Sequence, residues 1–204
     1  MLFSTMFSAF TLMNGACSPD PAGGNSASTP TPDLQPAGSR ALVVWFSCTE
    51  TTTGIADRIA EATGAVAWRI VPEEVYTAED LNYHHDSSRA NREQNDPSAR
   101  PAIEGRCERL ADCDVVFLGY PIWWGMAPKV MYTFLENHDL TGKTVVPFCT
   151  SGSSGIGSSD TDLHRLAPGA RWKPGRRFGG NESKSTIENW IGGLALSAGT
   201  SASR

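Results

Sequence analysis

The chain carries uninterrupted apolar runs where a half-exposed sheet would alternate. ALVVWF (41–46) has no polar position at all, the pattern of a parallel strand covered on both faces and placed centrally. AVAWRIV (65–71), DVVFLGY (114–120) and TVVPFC (144–149) are further strand candidates, and RWKPGRRF (171–178) reads as a ragged fifth. Between them lie helical patterns. TGIADRIAEATG spaces Ile55, Ile59 and Ala62, or Ala56 and Ala60, on one face, with Gly64 as a stop. PKVMYTFLEN (128–137) turns Val130, Met131, Phe134 and Leu135 inward, and STIENWIGGLAL (185–196) does so with Ile187, Trp190, Ile191 and Leu194. Strands alternating with helices require parallel pairing and right-handed crossovers, hence a three-layer α/β sandwich. In such sheets ligands sit beyond the carboxyl ends of the strands, where strand order reverses.

The first 39 residues have a different character. Residues 1–16 resemble the apolar part of a secretory signal but lack Lys or Arg, and 17–39 is a linker of Ser, Pro, Gly and Asn. Small residues before Cys17 resemble a bacterial lipoprotein cleavage and lipidation site, although Asn14 stands where Leu is preferred. The expectation is an exported, membrane-anchored lipoprotein whose tether spans about 25 Å as a flexible coil. The alternative is a cytoplasmic protein with an extension from a misassigned start. The domain then occupies 40–198, with a tail at 199–204. A formal net charge of -5 without basic runs argues against nucleic acid, and leaves a lipid anchor as the route to a membrane. Cys107 and Cys113 are close enough in sequence for a local disulfide, Cys48 and Cys149 read as small apolar residues, and no spacing makes a zinc site.

The loops after strands one, three and four are unusual. SCTETTTG holds Ser47, Thr49, Thr51, Thr52 and Thr53 at a helix start without Lys or Arg. A helix N-terminus offers unpaired amides and about half a positive charge, so hydroxyls and amides together suit a phosphate dianion; an ordinary Ser/Thr cap with solvated threonines is the bland alternative. There is no Gly-Lys-Ser/Thr motif and no Gly-x-Gly-x-x-Gly after the first strand. YPIWWGMAP (120–128) sets two tryptophans between Pro121 and Gly125, either to cover a flat ligand or to pack under the next helix. CTSGSSGIGSS (149–159) is all small, so its backbone can approach a ligand closely, as an ordinary flexible loop also would.

Together FSCTETT, FLGYPIWWGMAPKVMYTFLE and VPFCTSGSSGIG resemble the three FMN-binding loops of the flavodoxin family, over about residues 41–196. The resemblance implies a five-stranded parallel sheet of order 2-1-3-4-5 with FMN as cofactor; flavodoxin is itself the standard example of that sheet. It puts the Thr-x-x-Thr phosphate loop on Thr49 to Thr52, with Ser47 and Thr53 flanking. The isoalloxazine would lie among Pro121, Ile122, Trp123, Trp124 and Gly125 and Thr150, Ser151, Gly152, Ser153 and Gly155. It also implies that the Trp124–Gly125 peptide faces flavin N5. Glu50 departs from the family, which often has Gly there, and it either repels the phosphate or caps the helix.

Residues 76–101 form a polar excursion that either reaches over the flavin, with Tyr83, His85, Asp86 and Arg89, or is a solvated helical decoration. Adjacent His84 and His85 point apart and suggest no metal. No catalytic residue follows from the sequence. Three functions remain: an electron carrier between partner proteins, an NAD(P)H-dependent reductase of quinones or similar acceptors, and a tethered phosphate-ligand binder without redox chemistry.

Overall fold

The structure, a computed structural model, describes residues 40–196; the signal-like segment, the linker with Cys17 and the tail lie outside the described residues. Its order is β1 (Ala41–Trp45), α1 (Thr51–Thr63), β2 (Val66–Arg69), α2 (Arg89–Asn95), β3 (Val115–Pro121), α3 (Lys129–Asn137), β4 (Thr144–Thr150), α4 (Ser159–His164), β5 (Arg171–Trp172), β6 (Arg176–Phe178) and α5 (Lys184–Gly192). All strands pair in parallel, in the order β2-β1-β3-β4-β5, with β6 also on β4. Among the described residues no helix is long and apolar enough to cross a membrane.

Alternation along each strand builds two cores. Leu42, Val44, Phe46, Val116, Leu118 and Tyr120 face α3 and the excursion, while Val43, Trp45, Val115, Phe117 and Phe148 face α1 and α5. Burial of these apolar faces is the main favourable term in folding. Gly119 is glycine for a packing reason: a Cβ there would come within 2.2 Å of the Phe148 ring, which fills the space beside β3. Gly64 caps α1 in the left-handed conformation, as its position in the sequence suggests.

Three elements differ from the sequence reading. The fifth strand is two short pieces, because Pro174 has no N–H for the ladder and Gly175 packs within 3.2 Å of Pro147 on β4, measured from where its Cβ would stand. The last helix stops at Gly192, with Gly193 as its cap, so Leu194 packs from outside it. The excursion is no solvated decoration: α2 buries Ala90, Asn91 and Gln94, and Pro72 bridges to Ile103 as the chain leaves and returns. Cys107 and Cys113 are free buried thiols flanking a 3-10 turn, with no disulfide between them.

His138 packs on the first core, stacked on Phe134 and beside Trp68. Its Nε2 accepts from the Cys107 amide at 3.0 Å and its Nδ1 donates to the Phe134 carbonyl at 2.8 Å, so the neutral ring is fully paired. Burial holds the imidazole below its ordinary value of 6.5. The unfolded chain therefore binds this proton more readily than the folded one, and stability contributed here is complete above pH 6.5 and falls as pH drops below it. Urea denaturation between pH 7.5 and 5.5, where most carboxylates stay ionised, should show stability falling with acid in the native chain and a flatter dependence in His138→Gln; equal slopes would contradict this role.

Candidate functional site

The parallel register carries the ends of β1, β3 and β4 to one edge, pairing Trp45 with Gly119, Gly119 with Phe148, and Pro121 with Thr150. Thr150 then ties the three following loops together. Its hydroxyl meets that of Thr52 at 2.7 Å in a buried bond, and its carbonyl accepts the Ile122 amide at 3.0 Å.

The first loop ends at Glu50, whose carbonyl accepts the Gly54 amide and so starts α1. No side chain caps this terminus and its first turn holds no acidic residue. The amides of Thr51, Thr52 and Thr53 have no intrahelical acceptor, as in any helix start. Thr49 and Thr51 are exposed beside them, with their hydroxyls 3.2 Å apart. Thr53 accepts the Trp45 indole N–H at 3.0 Å, and Ser47 is buried with its carbonyl held by Arg69 at 2.8 Å. A fourth wall, silent in the sequence reading, comes from Gly180: at φ +106, a Cβ there would lie 2.4 Å from the Thr51 methyl.

Glu50 has φ 61, the left-handed region, which explains why glycine is at home in that position. Its carboxylate pairs with the two terminal nitrogens of Arg69, at 2.6 and 3.2 Å. The guanidinium holds the Glu50 carboxyl below its usual range. Glu50 thus makes no side-chain cap on α1, and its charge is paired with Arg69.

The second loop is a tight hairpin. Trp123 and Met126 exchange both backbone hydrogen bonds at 2.9 Å, with Trp124 at φ 49 and Gly125 at φ 77, the signature of a type I′ turn. A tryptophan at positive φ is an uncommon conformation that the surroundings must enforce. Trp123 packs edge-on against Phe46 and Tyr76, at 5.6 and 5.3 Å, whereas Trp124 is 43% exposed. Among the described residues, the Trp124 carbonyl and Gly125 amide have no backbone partner.

A cavity of about 390 Å³ lies between this hairpin and the first loop, lined by Thr49, Cys48, Pro121, Ile122, Trp123 and Trp124 and closed from the excursion by Leu81, Tyr83 and Ala90. That volume is within the range of small-ligand sites. Burial pushes the Cys48 thiol up to about 12, so it stays protonated at neutral pH. Of the excursion residues weighed in the sequence, only Tyr83 lines the cavity; Leu81 and Ala90 were missed. The third loop stands apart: Ser151 pairs with Phe178, while Gly152, Ser153 and Gly155 are exposed and outside that cavity. Among the described residues no cluster of His, Cys, Asp or Glu could hold a metal.

This geometry agrees with the comparisons to known proteins. A flavodoxin family model matches residues 40–194, and the chain belongs to the flavodoxin family. A Bacteroides eggerthii protein assigned as a flavoprotein is 44% identical, over 78% of this chain and 99% of its own, with a TM-score of 0.74. One from Bacteroides uniformis is 41% identical over 76% and 98%, at 0.72. A Lactobacillus acidophilus flavoprotein solved in complex with FMN shares the fold at 18% identity, over 74% and 98%, at 0.57. No match was found among functionally curated proteins.

Because Glu50 occupies a left-handed position and its pair with Arg69 is exposed, Glu50→Gly should leave stability unchanged or raise it by up to about 1 kcal/mol. Glu61→Gly, on the exposed face inside α1, should cost about 1 kcal/mol. Chemical denaturation of both variants checks this, and a clear loss in Glu50→Gly would refute the backbone argument.

Proposed function

We propose that the protein is a redox protein that binds FMN and carries electrons between partner proteins. The observation that carries this reading is the placement of Thr49: its hydroxyl meets Thr51 at the uncapped start of α1, and the same residue lines the aromatic cavity. A dianion site and a slot for a flat apolar ring are therefore joined by one side chain, which matches a phosphate and a ring linked through a ribityl chain.

The donor set fits FMN on its own terms. Amides at a helix start and the hydroxyls of Thr49 and Thr51 favour a phosphate without any cation, and Glu50 is neutralised by Arg69. Ser47, Thr52 and Thr53 build the loop from behind, through Arg69, Thr150 and Trp45. Pro121, Ile122, Trp123 and Trp124 supply the apolar wall that excludes water from a ring. The Trp124–Gly125 peptide, whose two polar groups have no partner among the described residues, can accept or donate a hydrogen bond at the ring's edge. Bound FMN would supply one- and two-electron chemistry there. Thr150, Ser151, Gly152, Ser153 and Gly155 would form the outer side of the site.

An NAD(P)H-dependent reductase is the second reading, and one observation favours it: Tyr83 and Trp124 both line the cavity and are both exposed, offering aromatic surface on which a flat co-substrate could stack. Titrating the apo-protein with FMN should quench tryptophan fluorescence and saturate at one flavin per chain; fluorescence that never changes would contradict FMN binding. Anaerobic NADH or NADPH should leave the yellow colour of a carrier intact without a partner reductase, and rapid bleaching would instead establish the reductase.

A further inference from the structure

The excursion does more than wall the cavity. Gln94 of α2 is 5% exposed, and its Nε2 donates to the Trp123 carbonyl at 3.0 Å and the Ala127 carbonyl at 3.3 Å, the two ends of the aromatic hairpin. Its buried Oε1 has no partner among the described residues. An unpaired buried acceptor carries a desolvation cost comparable to what two such bonds return, so net stability does not explain a glutamine here. Methionine would fill the same space, removing the unpaired oxygen while freeing the buried Ala127 carbonyl of its partner, so that the two costs offset.

What the two bonds accomplish is conformational. The hairpin places Trp124 and Gly125 at positive φ, and its own two bonds fix Trp123 and Met126 while giving the Trp124–Gly125 peptide no hydrogen bond among the described residues. Gln94 grips the chain on both sides of that peptide. The helix that carries it is itself anchored: Arg89 pairs with Glu93 at 2.6 Å and donates to the Glu74 carbonyl at 2.7 Å, the Tyr76 hydroxyl donates to Glu93, and Asn91 donates to the His85 carbonyl at 2.7 Å. Tyr76 in turn packs on Trp123.

We propose that Gln94 is a positioning residue: from the excursion, without touching a ligand, it holds the Trp123–Ala127 hairpin in the conformation that presents the Trp124–Gly125 peptide to the flavin, and so helps set the reduction potential. Its consequence for potential rests on the FMN reading above; the clamp itself does not.

The test uses two variants and two readouts. In the apo-protein, Gln94→Met should exchange the Met126 amide hydrogen at least tenfold faster than the native chain, while global stability falls little. Gln94→Glu cannot donate when ionised, so its protection factor at Met126 should be low at pH 7.5 and recover on acidification as the carboxyl regains a proton; the methionine variant should show no such recovery. With FMN bound, both variants at neutral pH should change the ratio of affinities for oxidised and reduced FMN by threefold or more, leaving the preference for FMN over riboflavin intact. Unchanged Met126 exchange in Gln94→Met overturns the clamp, and an unchanged ratio overturns its role in redox tuning. Should the protein take up no flavin, the FMN reading fails while the exchange measurement still decides the clamp.

Discussion

Parallel pairing of β1, β3 and β4 is the constraint on which the rest depends. Because the three strands run the same way in register, with Trp45, Gly119 and Phe148 abreast, their following loops must emerge at one edge. Covering both faces of such a sheet needs crossover helices, and those helices fix where the loops can go. The Phe148 ring lying over Gly119 shows how tightly the register is set, since any side chain at 119 would push the two strands apart. Thr150 then converts proximity into a single unit by joining the hydroxyl loop through Thr52 and the tryptophan loop through Ile122.

On that platform the site follows from backbone chemistry more than from charged side chains. The open start of α1 offers amides and the positive end of a helix dipole, so an anion can be held without a lysine. Two carboxylates stand near that start: Glu50 pairs with Arg69 reaching from the end of β2, and Glu182 accepts the Gly180 amide at 2.9 Å beside Thr51. Of the three non-glycine residues at positive φ among the described residues, two, Glu50 and Trp124, lie in the loops after β1 and β3. Such conformations persist where neighbouring structure holds them and cluster at ligand sites. Here the holding groups are Arg69 for the first loop and Gln94 for the second.

Much of this was legible in the sequence, and the part that was not has identifiable causes. Continuous apolar runs announced β1, β3 and β4, because burial on both faces removes alternation. Five hydroxyls at a helix start marked the loop that is proposed to hold the phosphate. The left-handed backbone at Glu50 was hidden, since a glutamate there contradicts local preference and only tertiary contacts with Arg69 sustain it. The roles of Leu81, Ala90 and Gln94 were hidden for another reason: the excursion is polar in composition, and two of the three buried residues of α2, Asn91 and Gln94, are themselves polar, so their helical spacing draws no apolar stripe. α4 went unseen because six residues carry too little periodicity, and the broken edge strand followed from Pro174 meeting a close contact with β4 that no local pattern reveals.

The central claim is that α1 and its hydroxyls hold a phosphate dianion while the aromatic hairpin holds the ring. It is tested most directly by comparing the affinity of the apo-protein for FMN and for riboflavin, which share the ring and differ by the phosphate. Two or more hydrogen bonds to a charged group predict FMN binding tighter by about a hundredfold or more. Equal affinities for the two flavins would contradict the account.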